Sequence, residues 1–348
     1  MDKTPDVAVI IPTYNRSAML ASAVESVLRQ ESGGITYELV VVDNNSDDET
    51  REVVEKFIER GENVRYLFEK EQGVSNARNC AIENTSADIL AFMDDDVIAP
   101  NDWVVKIKQC FDQHPDILFA GGKVLPRWKT MPPSWLTAEH WSPLALVDYG
   151  NESFTVDRNR QICLVSANLG VRRTAFDRFG LFLSALGRCE DHEFELRLLR
   201  GGGKGLYIPD LVMTADVQNE RLAKKYHREW WTGHGRRLAY FRAYEVLEMN
   251  GDSDSRESNA IRLLGTPSHV YKELLMSAIR WAIASINGKE SRVFYFESQL
   301  RDTLGYIHET YTLSSDSNYS RLAEIVTFAP RLLRKKIKNY KKRHASRS

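Results

Sequence analysis

The chain has 348 residues, 43% apolar and 27% charged, with 47 Lys plus Arg against 48 Asp plus Glu. That composition excludes a disordered or fibrous protein and is long enough for one large or two modest domains. The near-neutral balance excludes a global field that selects nucleic acid, although Arg331 to Arg347 is strongly basic and holds no acid.

The first third alternates short apolar runs with longer amphipathic ones. Residues 7–12 (VAVIIP) read as a buried strand, and 18–30 as a helix with Leu20, Ala23, Val24, Val27 and Leu28 on one face. Residues 37–43 (YELVVVD) form a second strand. A helix over 47–60 follows, with Ser46 as N-cap and Asp47, Asp48 and Glu49 in its first turn, where the helix dipole favours negative charge. Strands at 63–68 and 88–93 and helices at 75–84 and 102–113 continue the alternation, and 117–121 begins a fifth strand. From 123 to 160, Pro126, Pro132, Pro133 and Pro143 break the pattern, and Trp128, Trp135 and Trp141 punctuate it; this reads as loops over the sheet edge. A strand at 162–171 and a helix at 193–200, ended by Gly201-Gly202-Gly203, complete this part. Beyond about residue 220 the reading is helical, at 222–247, 268–286, 291–311 and 321–343, with a polar linker at 250–257.

Apolar strands alternating with helices predict an α/β fold with a mostly parallel sheet covered on both faces. Ligands bind such sheets outside the carboxyl ends of the strands. Four polar clusters fall there: Pro12 to Arg16, Asp43 to Ser46, Gly73 to Arg78, and Asp94-Asp95-Asp96. Three adjacent carboxylates repel one another, and a hard divalent cation bridging a diphosphate neutralises them, whereas at an ordinary loop the same residues are a solvated turn. Asp43 suits a base-edge N–H, or is a turn residue. The Arg78 guanidinium suits phosphate, or is a surface helix arginine. Tyr14 offers a plane for base stacking.

The segments IIPTYNR, VVVDNNSDD, GVSNARN and AFMDDDV, in this order and spacing, resemble the nucleotide-binding half of family 2 glycosyltransferases of the GT-A fold over about 5–125. The resemblance implies that Pro12, Tyr14, Asn15 and Asp43 hold a nucleoside. It implies that Arg78, Asp94 and Asp95 grip the nucleotide, and that Asp96 binds Mn²⁺ or Mg²⁺. A second stretch, SANLGVRRTAFDRFGLF with LGRCEDHEFELRLLRGG, resembles the acceptor half. There Asp191 takes the catalytic base's position, or is an acid that the helix dipole favours, with Asn168 and Glu190 on the acceptor side. Trp128, with Trp135 and Trp141, is read as stacking on sugar faces in an acceptor cleft, or as core. The implied organisation is a glycosyltransferase domain at 1–220, divided into halves at 1–125 and 126–220, and a helical region with a basic tail at 221–348.

The implied activity is inverting transfer of a sugar from a nucleoside diphosphate donor, uridine being favoured, to a hydroxyl of a saccharide or lipid-linked acceptor. Polysaccharide or glycolipid biosynthesis is the expected setting. The competing reading is a degenerate relative that binds nucleotide-sugar without turnover. Many relatives carry a metal-binding His near VMTADVQNER, where this chain has Ala215 and Asp216. Asp216 is the expected substitute ligand, with His227 and His234 as further candidates or ordinary helix histidines. Glycine-rich phosphate loops are missing after the first strand, which sets aside nucleotidyltransferases and nicotinamide dehydrogenases.

Cys80, Cys110, Cys163 and Cys189 form no CxxC pair, which argues against zinc and disulfides and fits a reducing compartment. No signal-peptide pattern and no apolar run of the ~20 residues that span a bilayer is found. The expectation is a cytoplasmic protein. The basic amphipathic run from Leu322 to Arg343 is read as a contact with the inner face of the plasma membrane, or as a solvated tail.

Overall fold

All seven residues of β1, Val7–Thr13, are buried. A strand with both faces covered belongs at the centre of a sheet. In the computed structural model, which describes residues 4–243 and 261–315, β1 lies between two parallel neighbours. These are β2 (Tyr37–Asp43), in register from Val7↔Tyr37 to Thr13↔Asp43, and β4 (Ile89–Phe92). Strand β3 (Val64–Phe68) pairs parallel with the outer side of β2. The order is β3-β2-β1-β4-β8-β6-β9-β5, with β7 pairing β9. Here β5 is Val97–Ile98, β6 Phe119–Trp128, β7 Phe154–Val156, β8 Leu169–Arg172 and β9 Gly205–Val217. Strands β6 and β9 pair parallel, while β8, β7 and β5 run against their neighbours. The mostly parallel sheet expected from the alternation is therefore present, with three short reversals.

The flanking helices are α1 (Ser17–Leu28), α2 (Thr50–Glu59), α3 (Val74–Asn84), α4 (Trp103–Gln113), α5 (Arg173–Phe179) and α6 (Glu190–Arg200). Each buries the stripe its spacing dictates, such as Leu20, Ala23, Val24 and Val27 on α1, or Thr50, Val54 and Phe57 on α2.

Three expectations need correction. Helix α2 starts at Thr50, and Ser46 does not cap it. The Asp48 carboxylate does that work, accepting from the Thr50 backbone N–H (3.1 Å) and hydroxyl (2.5 Å). The segment after 123 is not all loop, since β6 runs on to Trp128 across an irregularity between Gly121 and Lys123. At Gly122 an added Cβ would lie 2.0 Å from the Leu211 carbonyl, so only glycine permits that approach. The strand expected at 162–171 is reduced to β8, because Ser166–Asn168 forms a 3-10 turn.

The chain divides into two compact units, Met1–Pro133 with Ala138–Ala223, and Ser134–Thr137 with Lys224–Ser348. Within the described residues the second holds α7 (Lys224–Ala243), α8 (Ser268–Asn287), α9 (Glu290–Ser315) and a two-strand turn, β10 (Arg262–Leu263) with β11 (Thr266–Pro267). Helices α7 and α9 touch backbone to backbone at Gly235, where an added Cβ would sit 1.8 Å from the Asp302 carbonyl. Arg228 spans to Glu297 with two hydrogen bonds (2.7 and 3.0 Å). Trp135 is buried against the His227 and Phe294 rings. Among the described residues no helix is long and apolar enough to cross a membrane. The linker at 250–257 and the run from Leu322 to Arg343 lie outside the described residues.

Candidate active site

The carboxyl ends of β1, β2 and β4 lie side by side, so the loops that leave them share one rim of the sheet. Buried Pro12 ends the straight part of β1. Tyr14 beyond it is 47% exposed, and Asn15 adopts φ +52°. Asn15 can hold that left-handed backbone because its side chain bonds locally. Its N–H donates to Ser46 Oγ (3.0 Å), and its Oδ1 accepts from the Asp47 N–H (2.9 Å). The β1 and β2 loops are thereby fastened together.

Asp43 is buried at the end of β2. Its carboxylate accepts from the Ser46 N–H (2.9 Å) and the Tyr66 hydroxyl (2.8 Å), which leaves lone pairs for a further donor. Burial and the bond to Asp43 raise the Tyr66 phenol above its ordinary range. Asn44 next to it orders the third loop. Its Nδ2 donates to the Glu69 and Glu71 carbonyls (3.1 and 2.7 Å), and its Oδ1 accepts from the Gly73 N–H (2.7 Å). Gly73, at φ +135°, turns the chain into α3.

The three aspartates after β4 have three different surroundings. Asp95 is buried and tied down by the Thr13 hydroxyl (2.8 Å) and Arg16 Nη1 (2.8 Å). These two bonds brace the rim. Asp96 receives Arg16 Nη1 (3.1 Å) and Gln218 Nε2 (3.3 Å) on Oδ2, with Arg221 Nη1 at 3.5 Å. Burial, and then Asp94 and Asp95, push its carboxyl up to about 6. Asp94 is the most open of the three, its side chain 30% exposed, and accepts from Arg78 Nη2 (3.0 Å).

Arg78 projects from α3 and is buried, contrary to a surface helix arginine. Burial works against its charge, but Glu190 and then Asp94 and Asp191 hold the guanidinium firmly protonated. One arm grips Asp94 and the other grips Glu190. Its Nε has no hydrogen-bond partner among the described residues. Arg78 therefore links the end of β4 to the first turn of α6, 112 residues further along the chain. Burial raises the Glu190 carboxyl, and Arg78 pulls it back down.

Asp191 follows in the same turn. Its Oδ2 accepts from the Ser166 N–H (3.1 Å) and hydroxyl (3.2 Å), and its Oδ1 from the His192 N–H (2.8 Å). Glu195, one turn on and buried, holds the Leu164 N–H with both oxygens (3.1 and 3.0 Å), which fixes the 164–166 backbone behind Asp191. Burial, reinforced by Asp191, raises the Glu195 carboxyl well above its usual range.

The remaining expected residues have these surroundings. Asn168 is buried: its Oδ1 accepts from Trp103 Nε1 (2.9 Å), and its Nδ2 donates to the Lys123 and Leu211 carbonyls (2.9 Å each). These bonds brace β6, β9 and α4 against one another. Trp128 is half-buried at the carboxyl end of β6, paired with Val217 next to Gln218. The Asp216 carboxylate is engaged by Arg127 on both oxygens, which holds it below the ordinary carboxylate range. His227 and His234 belong to the second unit, where His227 meets Trp135 edge-on and His234 stacks on Trp230 with Nδ1 2.8 Å from Asp302. Both are helix residues of that unit. Sequence reasoning missed Gln218, Arg221 and Ser166; no local pattern marks them, and only the folding of β9 and α6 brings them to the aspartates.

The rim suits a divalent ion shared with a ligand. Among the described residues no three His, Cys, Asp or Glu side chains gather as a complete cage. Mg²⁺-type sites commonly use only one or two carboxylates and take their other oxygens from phosphates. The hard oxygens of Asp94 and Asp96 fit that chemistry.

Residues 8–179 match the model of glycosyl transferase family 2. A glucosyl-dolichyl phosphate glucuronosyltransferase from Haloferax volcanii is 28% identical over 191 residues, 53% of this chain and 58% of the relative. A GalNAc(5)-diNAcBac-PP-undecaprenol beta-1,3-glucosyltransferase from Campylobacter jejuni is 31% identical over 94 residues, 26% of this chain and 30% of the relative. The chain thus spans well under two thirds of either relative. Among solved structures, a Pyrobaculum calidifontis mannosyltransferase in complex with GDP-Man and Mn²⁺ superposes with TM-score 0.51 at 17% identity, covering 95% of this chain and 81% of that one. That likeness speaks for the fold alone, which is GT-A. On its motifs, its fold and the match over 8–179, this chain is a member of glycosyl transferase family 2.

Proposed function

We propose that the chain transfers a sugar, with inversion, from a nucleoside diphosphate donor to a hydroxyl of a saccharide or lipid-linked acceptor. One observation carries the reading: Arg78 ties Asp94, on the donor side of the rim, to Glu190, whose neighbour Asp191 is held by Ser166. A buried guanidinium joining the two halves sets a diphosphate-binding carboxylate and a proton acceptor at a fixed spacing.

In this reading Tyr14 stacks on the base, and Asn15 and Asp43 receive the nucleoside, with a free lone pair of Asp43 meeting a uracil N–H. Asp191 takes the acceptor proton as the hydroxyl attacks the anomeric carbon. The proton is lost only as the bond forms. Arg78, and Arg221 beside Asp96, offset the charge that grows on the departing diphosphate. A divalent ion, Mn²⁺ or Mg²⁺, held by Asp96 with Asp94 would add Lewis-acid stabilisation of the same leaving group. The similar Mn²⁺-bound mannosyltransferase supports that cofactor. The undecaprenol and dolichyl phosphate in the relatives' names support a lipid-linked acceptor and glycolipid or polysaccharide synthesis.

A second reading, nucleotide-sugar binding without turnover, is favoured by one observation, the commitment of Asp216 to Arg127. Asp191→Asn separates the two. Transfer predicts that the variant keeps donor affinity and loses turnover by roughly 10²-fold or more, as for loss of a general base. A variant as active as wild type would discard Asp191. A wild type that binds donor but never releases nucleoside diphosphate would favour the second reading.

A further inference from the structure

Among the described residues helix α8 packs on one side only. Its buried positions Val270, Ser277 and Ala284 recur every seventh residue. The other side presents Leu275 (61% exposed), Ile279 (43%), Ile283 (63%) and Ile286 (78%). Steps of four, four and three put these on one stripe, and Met276 (40%) widens it. A chain in water rarely leaves a contiguous apolar stripe uncovered, so this one has an occupant.

The charges on α8 identify it. Lys272 stands one turn before Leu275 and Met276 in the same stripe, and Arg280 borders it one turn beyond Met276; both are exposed. The acid of the helix, Glu273, lies on the margin with Arg280, outside the stripe. Lys289 follows just past the C-terminal end, exposed. An apolar stripe bordered by bases is the composition of a helix that lies in a lipid interface. From Leu275 to Ile286 the stripe runs about 16 Å at 1.5 Å per residue, long enough to lie along a bilayer and too short to cross it.

We infer that this face of α8 rests on an anionic lipid surface. Leu275, Ile279, Ile283 and Ile286 enter the acyl boundary, and Lys272 and Arg280 meet the headgroups. The surface belongs to the helical unit and does not depend on the transfer chemistry, so it is tested without donor or acceptor.

The experiment is flotation of the full chain with vesicles of phosphatidylcholine, with and without phosphatidylglycerol. Wild type floats with the anionic vesicles and detaches in high salt. Ile279→Glu with Ile283→Glu weakens partitioning at least about tenfold. Lys272→Gln and Arg280→Gln weaken it about fivefold each, the fold-change of one interfacial base. All four positions are exposed, so thermal melts should match wild type. The inference is overturned if wild type stays with the aqueous layer, or if the double glutamate variant floats like wild type. It is also overturned if deletion of 331–348 alone abolishes flotation while the glutamates leave it intact. A wild-type dimer by light scattering that the glutamates split, with no flotation of either, would assign the stripe to a second copy.

Discussion

At the scale of single residues, the site rests on buried ion pairs whose cost and use are linked. Arg78, Glu190 and Asp95 are almost fully enclosed. Removing one member of a buried pair leaves an uncompensated charge and costs about 3–5 kcal/mol, whereas replacing both with apolar groups costs far less. Arg78→Met should therefore lower the unfolding free energy by about that amount, and Arg78→Met with Glu190→Leu should recover much of it. Urea denaturation of the single and double variants checks this. Strictly additive losses would mean that the two side chains are not coupled. Residue-scale legibility follows the same division. The motifs around Asp43, Arg78 and Asp94–Asp96 were readable because each is a short run of unusual polarity at a strand end. Their partners were not. Gln218 and Arg221 reach Asp96 from over 120 residues away, and the partners of the Asn168 amide, Trp103, Lys123 and Leu211, are all distant from it in sequence.

At the scale of elements, helix starts and helix contacts decide local stability. The Asp48 carboxylate also accepts from the Ser17 N–H (2.9 Å), so it fastens the starts of α1 and α2 together. Burial alone would raise its carboxyl, but the bonds from Thr50 and Ser17 hold it below the ordinary range. A depressed carboxylate stabilises the fold above its unfolded value, ~3.9, and that contribution fades as pH falls through the lower folded value. Asp48→Ala should cost about 1 kcal/mol at pH 7, as other N-cap losses do. The gap between variant and wild type should narrow below about pH 4. Urea melts at several pH values test this, and a gap independent of pH would contradict it. The sequence placed this cap at Ser46 because several residues there can cap, and only Asp48 is aimed at Thr50.

In the helical unit, two glycines two residues apart, on opposite sides of α7, behave oppositely. Gly235→Ala should destabilise by about 1–3 kcal/mol, because its Cβ meets the Asp302 carbonyl. Gly233→Ala, with open space at its Cβ, should stabilise by up to about 1 kcal/mol. Thermal melts that rank the two the other way would refute the α7–α9 contact. The sequence showed the helices and not this crossing, because periodicity reports which face is apolar but not where two backbones meet. The extension of β6 was illegible for a related reason. Pro126 reads as a breaker, yet β6 runs through it, and Gly122 lets Leu211 pass.

At the scale of the molecule, the parallel sheet was legible because strand–helix alternation is a local signal repeated along the chain. The reversals at β5, β7 and β8 were not, because direction is set by partners far away in sequence. The rim that this topology creates is the basis of the functional reading: β1, β2 and β4 end together, and their loops bring Tyr14, Asp43, Asp94 and Asp96 to one edge. The reading requires that a cation bound at those carboxylates hold a diphosphate there with it. Isothermal titration with uridine diphosphate, with and without Mn²⁺, on wild type and Asp96→Ala measures this directly. The account predicts binding to wild type that depends on Mn²⁺ and is lost in Asp96→Ala. Binding unchanged by that substitution, or no nucleoside diphosphate bound in the presence of Mn²⁺, would contradict it.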